Sequence, residues 1–395
     1  MSSSSSKFTV VIPTRNRSDL ASRSVRSVVE YSGQDVQLLV SDNSTNASDI
    51  ETLRQFCRDL SDSRVTYLRP PQPLAMTEHW EWAMQQALNL AEASDFLYLT
   101  DRSIFKPGHL QRIIEIAQQN PGQVISYDWV TVFDHLDPIF VEKRNHSGQV
   151  IPVTAERLLR LSSQSLIPNC LPRMMNSCVP RSVVEAMVQR FGSVFASTSP
   201  DYNFCYRCLD VVDGILYLDA AAFVTYAIQR SNGVSAIGRS TAATEDFNSQ
   251  LSLEGGRRSF ATPEPAFETL ANYVLHEYAL VKAESKSGKF PEIDLDRYFA
   301  CNASEVASND NAELRKEMMV FLKASGFSVP PKHRLGELRS KLSLRTRAKK
   351  LMRLEWPSLS SRVGPFSSLE EAINYASSIP LGDRSTAYHL RMLQD

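Results

Sequence analysis

Short apolar runs alternate with stretches of helical period through the first third of the chain, and this alternation limits the fold more than any other feature. FTVVI (Phe8–Ile12), VQLLVS (Val36–Ser41) and RVTYLR (Arg64–Arg69) read as strands, and FLYL (Phe96–Leu99) as a strand with little solvent on either face. Between them, DLASRSVRSVVEY turns Leu20, Val25, Val28 and Val29 toward one helical face. SDIE (Ser48–Glu51) has the Ser-x-x-Glu spacing of a capping box that opens a second helix. Thr77 stands as the cap of EHWEWAMQQALNLAEA, and HLQRIIEIAQQN supplies a further helix. Repeated β-α-β units of this kind predict an α/β fold, a wound and mostly parallel sheet flanked by helices. Ligands of such sheets bind beyond the carboxyl ends of the strands. That rule gathers PTRNR, DNST and DRS on one rim.

The first of these turns, VIPTRNRSDL, has no G-x-G-x-x-G, so no glycine lets a helix N-terminus approach a pyrophosphate in the dinucleotide manner. Strand-end acids offer another hold. Asp42 in VSDNST can accept the ring N–H of uracil, thymine or guanine, and by position it serves equally as an Asx-turn or helix-cap residue. Asp101 follows the fourth strand where the chain must leave the sheet, and Pro107 and Gly108 close the turn. A carboxylate there is placed to carry Mg²⁺ or Mn²⁺ against phosphate oxygens.

With 43% hydrophobic and 22% charged residues and a net charge of −1, no global charge points to nucleic acid as partner. The serine tract at 2–6 reads as a disordered leader, and no apolar run reaches the ~20 residues of a membrane span. A cytoplasmic location is the expectation. Six scattered cysteines read as reduced thiols, and CYRC (Cys205–Cys208) falls in a helical run as core thiols rather than a zinc pair. Composition turns polar near residue 245, which divides a catalytic domain, 7–245, from a helical C-terminal region, 246–395. Within that region RLGELRSKLSLRTRAKKLMRLEW (334–356) concentrates positive charge and suits contact with a protein or a membrane surface.

Taken in order, FTVVIPTRNR, LLVSDNST, RPPQPLAMTEHWEWAMQQA and DFLYLTDRSIFKPGHL resemble the donor-binding half of family 2 glycosyltransferases of the GT-A fold. The likeness covers residues 7–130, weakens through 235 and does not reach the C-terminal region. It implies a transferase that moves a sugar from a UDP, dTDP or GDP donor to an acceptor hydroxyl, by inversion, in glycan or polysaccharide synthesis. Its acceptor would be a glycan, a lipid-linked species or a protein, met in the cytoplasm or at the inner face of a membrane.

Residue by residue, Pro13, Thr14, Arg15 and Arg17 match the family's first nucleotide loop, and Asp42, followed by Asn43, its base-recognising acid. Asp101, Arg102 and Ser103 stand where the family has D-x-D, so Asp101 and Ser103 are the implied metal ligands. The neutral Ser103 gives up one charge, while Arg102 can face the diphosphate as a fixed cation. Asp201, after Ser199 and Pro200, resembles the family's base. Arg230 in IQRSNG lies where many members carry a histidine. Trp80, Tyr127, Asp128 and Trp129 are the candidate acceptor residues, with Trp82 and His79 nearby in sequence. The alternative is a catalytically silent sugar-nucleotide-binding or scaffold protein.

Overall fold

The computed structural model describes residues 7–90, 93–231, 260–263, 269–308 and 361–382, with single positions at 316, 320 and 393. The chain begins β1 (Lys7–Thr14), α1 (Ser18–Tyr31), β2 (Val36–Asp42), α2 (Ala47–Asp59), β3 (Val65–Leu68), α3 (Met76–Leu88), β4 (Ala93–Tyr98). It continues through β5 (Ser103–Phe105), α4 (His109–Gln119), β6 (Ile125–Phe133), β7 (Ile139–Lys143), β8 (Val150–Thr154), α5 (Ala155–Ser163) and β9 (Ser177–Pro180). Then follow α6 (Arg181–Phe191), α7 (Pro200–Val211), β10 (Gly214–Thr225), α8 (Leu270–Glu284), α9 (Leu295–Ser308), β11 (Ser361–Phe366) and α10 (Leu369–Ser378).

These strands form one sheet. β3, β2, β1 and β4 run parallel, joined by α1, α2 and α3 as the β-α-β pattern requires. Beyond β4 the directions mix: β9 lies antiparallel between β4 and β6, β10 runs parallel to β6, and β7 and β11 continue the edge antiparallel. The expected α/β sheet with flanking helices is thus present, and its parallel order belongs mainly to the N-terminal half. The turn at 134–138 explains part of the change, being too short for a crossover, so β6 and β7 can only pair antiparallel.

Alternation along the strands divides the core in two. Val10, Ile12, Leu38, Val40, Leu97 and Leu99 pack on α1 and α4, whereas Val11, Leu39, Phe96 and Tyr98 pack on the side of α3, α5 and α7. Val274, Tyr278 and Val281 of α8 join that second cluster, and Ala372, Ile373 and Ala376 of α10 cover β6, β7 and β10. The C-terminal region, expected to be helical, also supplies the edge strand β11.

Two local expectations are corrected. α2 starts at Ala47, because the Asn46 side chain accepts from the Ser48 N–H and caps the helix before a Ser48 box can form. α3 starts at Met76, so Thr77 lies inside it, and the Thr77 hydroxyl donates to the Ser197 carbonyl at 2.7 Å. The serine tract, the boundary at 245 and the basic stretch 334–356 lie outside the described residues. Among the described residues no helix is long and apolar enough to cross a membrane.

Candidate active site

The carboxyl ends of β1, β2 and β4 and the turns that follow them make one stitched ledge. Thr14 ends β1 opposite Asp42, and its hydroxyl donates to Asp101 Oδ2 at 2.9 Å, so the two acids flank Thr14 on a single edge. Pro13, one residue earlier, is buried opposite Ser41. Asn16 adopts a left-handed φ of 53°, a conformation asparagine tolerates. It binds the next loop through Thr45 N–H at 2.9 Å, Asn46 N–H at 3.0 Å and Ser44 Oγ at 2.8 Å. Asn43 holds Leu74 by both backbone groups, at 2.8 and 2.9 Å, and Arg15 donates to the same Leu74 carbonyl at 3.1 Å.

Asp42 is fully buried. It accepts from the Ser44 N–H at 2.8 Å and the Tyr67 hydroxyl at 2.6 Å, with Arg69 Nε at 3.9 Å. Burial together with this acid raises the Tyr67 phenol. Beneath them Ser41 Oγ lies 2.8 Å from His79 Nε2; burial and the Arg15 charge hold His79 down at about 3, so its imidazole is neutral.

At the Asp-Arg-Ser turn, Arg17 Nη1 approaches Asp101 Oδ1 to 3.4 Å, and Ser103 Oγ pairs with Thr100 Oγ1 at 2.7 Å. Gly108 ends the turn at φ 75°, open to a residue without Cβ, and caps α4. Arg102 leans toward β10, donating to Thr225 Oγ1 at 2.9 Å and Ser231 Oγ at 3.1 Å. Burial lowers it to about 10 while Asp101, Asp134 and Asp201 pull the other way, so it stays cationic at neutrality. Arg230 pairs with Asp19 at 2.8 Å and donates to the Asn16 carbonyl at 3.4 Å, which ties it to the first loop.

Asp201 occupies the first turn of α7, after Pro200. Burial raises its carboxyl, and the charges of Arg173 and Arg102 act against that rise. Arg173 was not legible as a site residue. Its guanidinium lies 4.5 Å from the Trp129 ring and 5.3 Å from the Tyr202 ring, and donates to the Tyr202 hydroxyl at 3.1 Å. The adjacency of Tyr202 to Asp201 was the only sequence signal for this group.

The other acceptor candidates have protein partners. Asp128 binds Arg144 at 2.9 Å, His146 at 3.0 Å, Asn169 at 3.2 Å and the Trp129 N–H at 2.8 Å; these hold it at about 2 despite burial. Tyr127 is fully buried, edge-on to Phe223, and Trp80 packs against Tyr98 and Phe195. Cys205 and Cys208 are buried free thiols on α7.

This donor set does not fit a divalent ion held by two charged oxygens. At the Asp-Arg-Ser turn the carboxylate of Asp101 already faces Thr14 and Arg17, and the Ser103 hydroxyl is engaged by Thr100. Among the described residues no group of three or more His, Cys, Asp or Glu stands at metal-binding spacing.

Residues 9–175 match the family described as glycosyl transferase family 2. Protein CgeD of Bacillus subtilis (strain 168) is 22% identical over 118 residues, 29% of this chain and 27% of that protein. The match thus spans about a quarter of that relative. Among solved structures, S. aureus TarS superposes with a TM-score of 0.41 at 12% identity, over 62% of this chain and 43% of TarS. TarS 1–349 in complex with UDP-GlcNAc gives 0.44 at 12% identity, over 76% and 80% of the two chains.

Proposed function

We propose that this chain, whose residues 9–175 match glycosyl transferase family 2, moves a sugar from a nucleoside diphosphate to an acceptor hydroxyl. One observation carries the reading: the rim that joins Asp42 to Asp101 through Thr14 also gathers Arg15, Arg17, Arg102 and Arg230. Beside it, through the charge of Arg102, stands the half-buried acid Asp201.

In this reading the nucleobase rests on the ledge at Leu74, and its ring N–H goes to Asp42. Ser44 and Tyr67 use two of the roughly four acceptor positions of that carboxylate. Tyr67 must swing aside for the base to reach it, since Asp42 is fully covered. The diphosphate meets the arginines, whose planar guanidinium groups match phosphate oxygens and stabilise the charge that develops on the leaving group. That arrangement needs no step through a divalent ion.

Transfer is a single displacement. The acceptor oxygen attacks the anomeric carbon, the bond from that carbon to the diphosphate oxygen breaks, and its electron pair leaves with the diphosphate. Asp201 takes the acceptor proton, and configuration inverts. A carboxyl raised by burial holds that proton more tightly than an ordinary one, which suits a general base. Trp129 has Arg173 over its ring and Phe223 parallel to it, so an acceptor sugar in glycan assembly would meet its half-exposed edge.

A second reading has its own support, because Asp42 is covered and Ser103 is engaged: a silent sugar-nucleotide-binding or scaffold protein. Thermal unfolding with UDP-glucose, dTDP-glucose and GDP-mannose separates them. A bound donor at about 100 times its Kd adds about 2.7 kcal/mol of stability. We expect a rise in Tm with one of the three, accompanied by release of its nucleoside diphosphate as water takes the sugar in place of the acceptor hydroxyl. A rise without release supports the silent protein, and no rise with any of them refutes both.

A further inference from the structure

The loop that delivers Asp201 to the rim is gripped by a helix from beyond the family-matched residues. Ser199 is the N-cap position of α7, yet its own side chain makes no capping bond. The cap comes instead from Glu277 of α8, a carboxylate with no solvent exposure. Glu277 Oε1 accepts from the Ser199 N–H at 2.8 Å and from Thr198 Oγ1 at 3.5 Å, and Oε2 accepts from Asn203 Nδ2 at 3.0 Å. A carboxylate at a helix N-terminus also meets the positive end of the helix dipole. Burial nevertheless pushes Glu277 up to about 7, against the donors that favour its charge.

The preceding residue reinforces the grip. His276 Nδ1 accepts from the Ala261 N–H at 2.8 Å, which leaves the proton on Nε2, where it donates to Ser197 Oγ at 3.3 Å. Ser197 holds a left-handed φ of 63°, a cost for a residue with a Cβ that surrounding contacts must sustain. Its carbonyl accepts from Thr77 of α3 at 2.7 Å. Three side chains from two distant helices therefore fix residues 197–199, immediately before Asp201.

We propose that Glu277 and His276, with Thr77 opposite, form a clamp that sets where Asp201 stands, so that the C-terminal region governs turnover without touching the donor. They are positioning residues, and the inference rests on Asp201 being the base. A displacement of the base by about 1 Å is enough to slow a reaction up to about a hundredfold. Donor affinity lies with Asp42 and the arginines and is untouched by the clamp.

The test compares Glu277→Ala, Glu277→Gln and Thr77→Val with the unaltered chain, in release of nucleoside diphosphate, with water taking the sugar, from whichever of UDP-glucose, dTDP-glucose or GDP-mannose stabilises it. Glu277→Ala is expected to lower kcat about tenfold or more with donor KM unchanged. Glu277→Gln keeps an acceptor for the Ser199 N–H, and its amide can donate to Asn203 Oδ1, which is buried without a partner, once that amide turns over. It should restore most of kcat. Thr77→Val should lower kcat alone, and it remains informative if Glu277→Ala does not fold. Unchanged kcat in Thr77→Val or in a folded Glu277→Ala, or kcat and KM shifting together, overturns the clamp. No release by the unaltered protein refutes the reading of Asp201 itself, a distinct result.

Discussion

Asp201 is half-buried and Asp128 buried, and their surroundings drive the two acids in opposite directions. Burial dominates at Asp201 and raises its carboxyl. A base works only when ionised, so turnover should climb as pH passes above the ordinary carboxylate value of 3.8 and then level off; a profile flat down to pH 4 contradicts the assignment. At Asp128 the Arg144 charge and the His146 bond outweigh burial and hold the carboxyl at about 2. Its folded value lies below the unfolded 3.8, so its contribution, about 2 kcal/mol, is complete above pH 3.8 and is lost as pH falls through about 2. Asp128→Asn leaves Arg144 with less charge to face and should cost about 3 kcal/mol, measured by urea unfolding at pH 7. The strand-end position of Asp42 and Asp101 was legible because period and turn signals fix where strands stop. Tyr67, Arg173 and Glu277 were not, since no spacing links them to the residues they meet.

At the scale of elements, β1 and β2 were legible from their apolar runs, because a parallel strand buried on both faces needs a run of that kind, while the half-exposed edge strand β3 showed through its β-branched and aromatic content. The short β5 and the solvent-edge β11 carry too few apolar residues to announce themselves. Helix starts depended on single side chains, and there the nearest plausible cap was not always the working one. Asn46 precedes Ser48 and captures its N–H, so Asn46→Ala should cost about 1 kcal/mol in urea unfolding. Ser48→Ala should cost only a few tenths. The reverse order would restore the capping box at Ser48–Glu51.

For the molecule as a whole, α8 and α10 complete two faces of the sheet with Val274, Tyr278, Val281, Ala372, Ile373 and Ala376. The catalytic reading therefore draws on residues far beyond the family-matched stretch. It also places the diphosphate charge on arginine, so a chelator such as EDTA should leave the donor-induced rise in Tm and the turnover as they were; loss of both would return the charge to a divalent ion. The most direct measurement of the central claim pairs binding with turnover in one variant. With the donor that stabilises the unaltered protein, Asp201→Asn should keep the rise in Tm and lose nucleoside diphosphate release by about 10²-fold or more. Release at the unaltered rate in Asp201→Asn would contradict it.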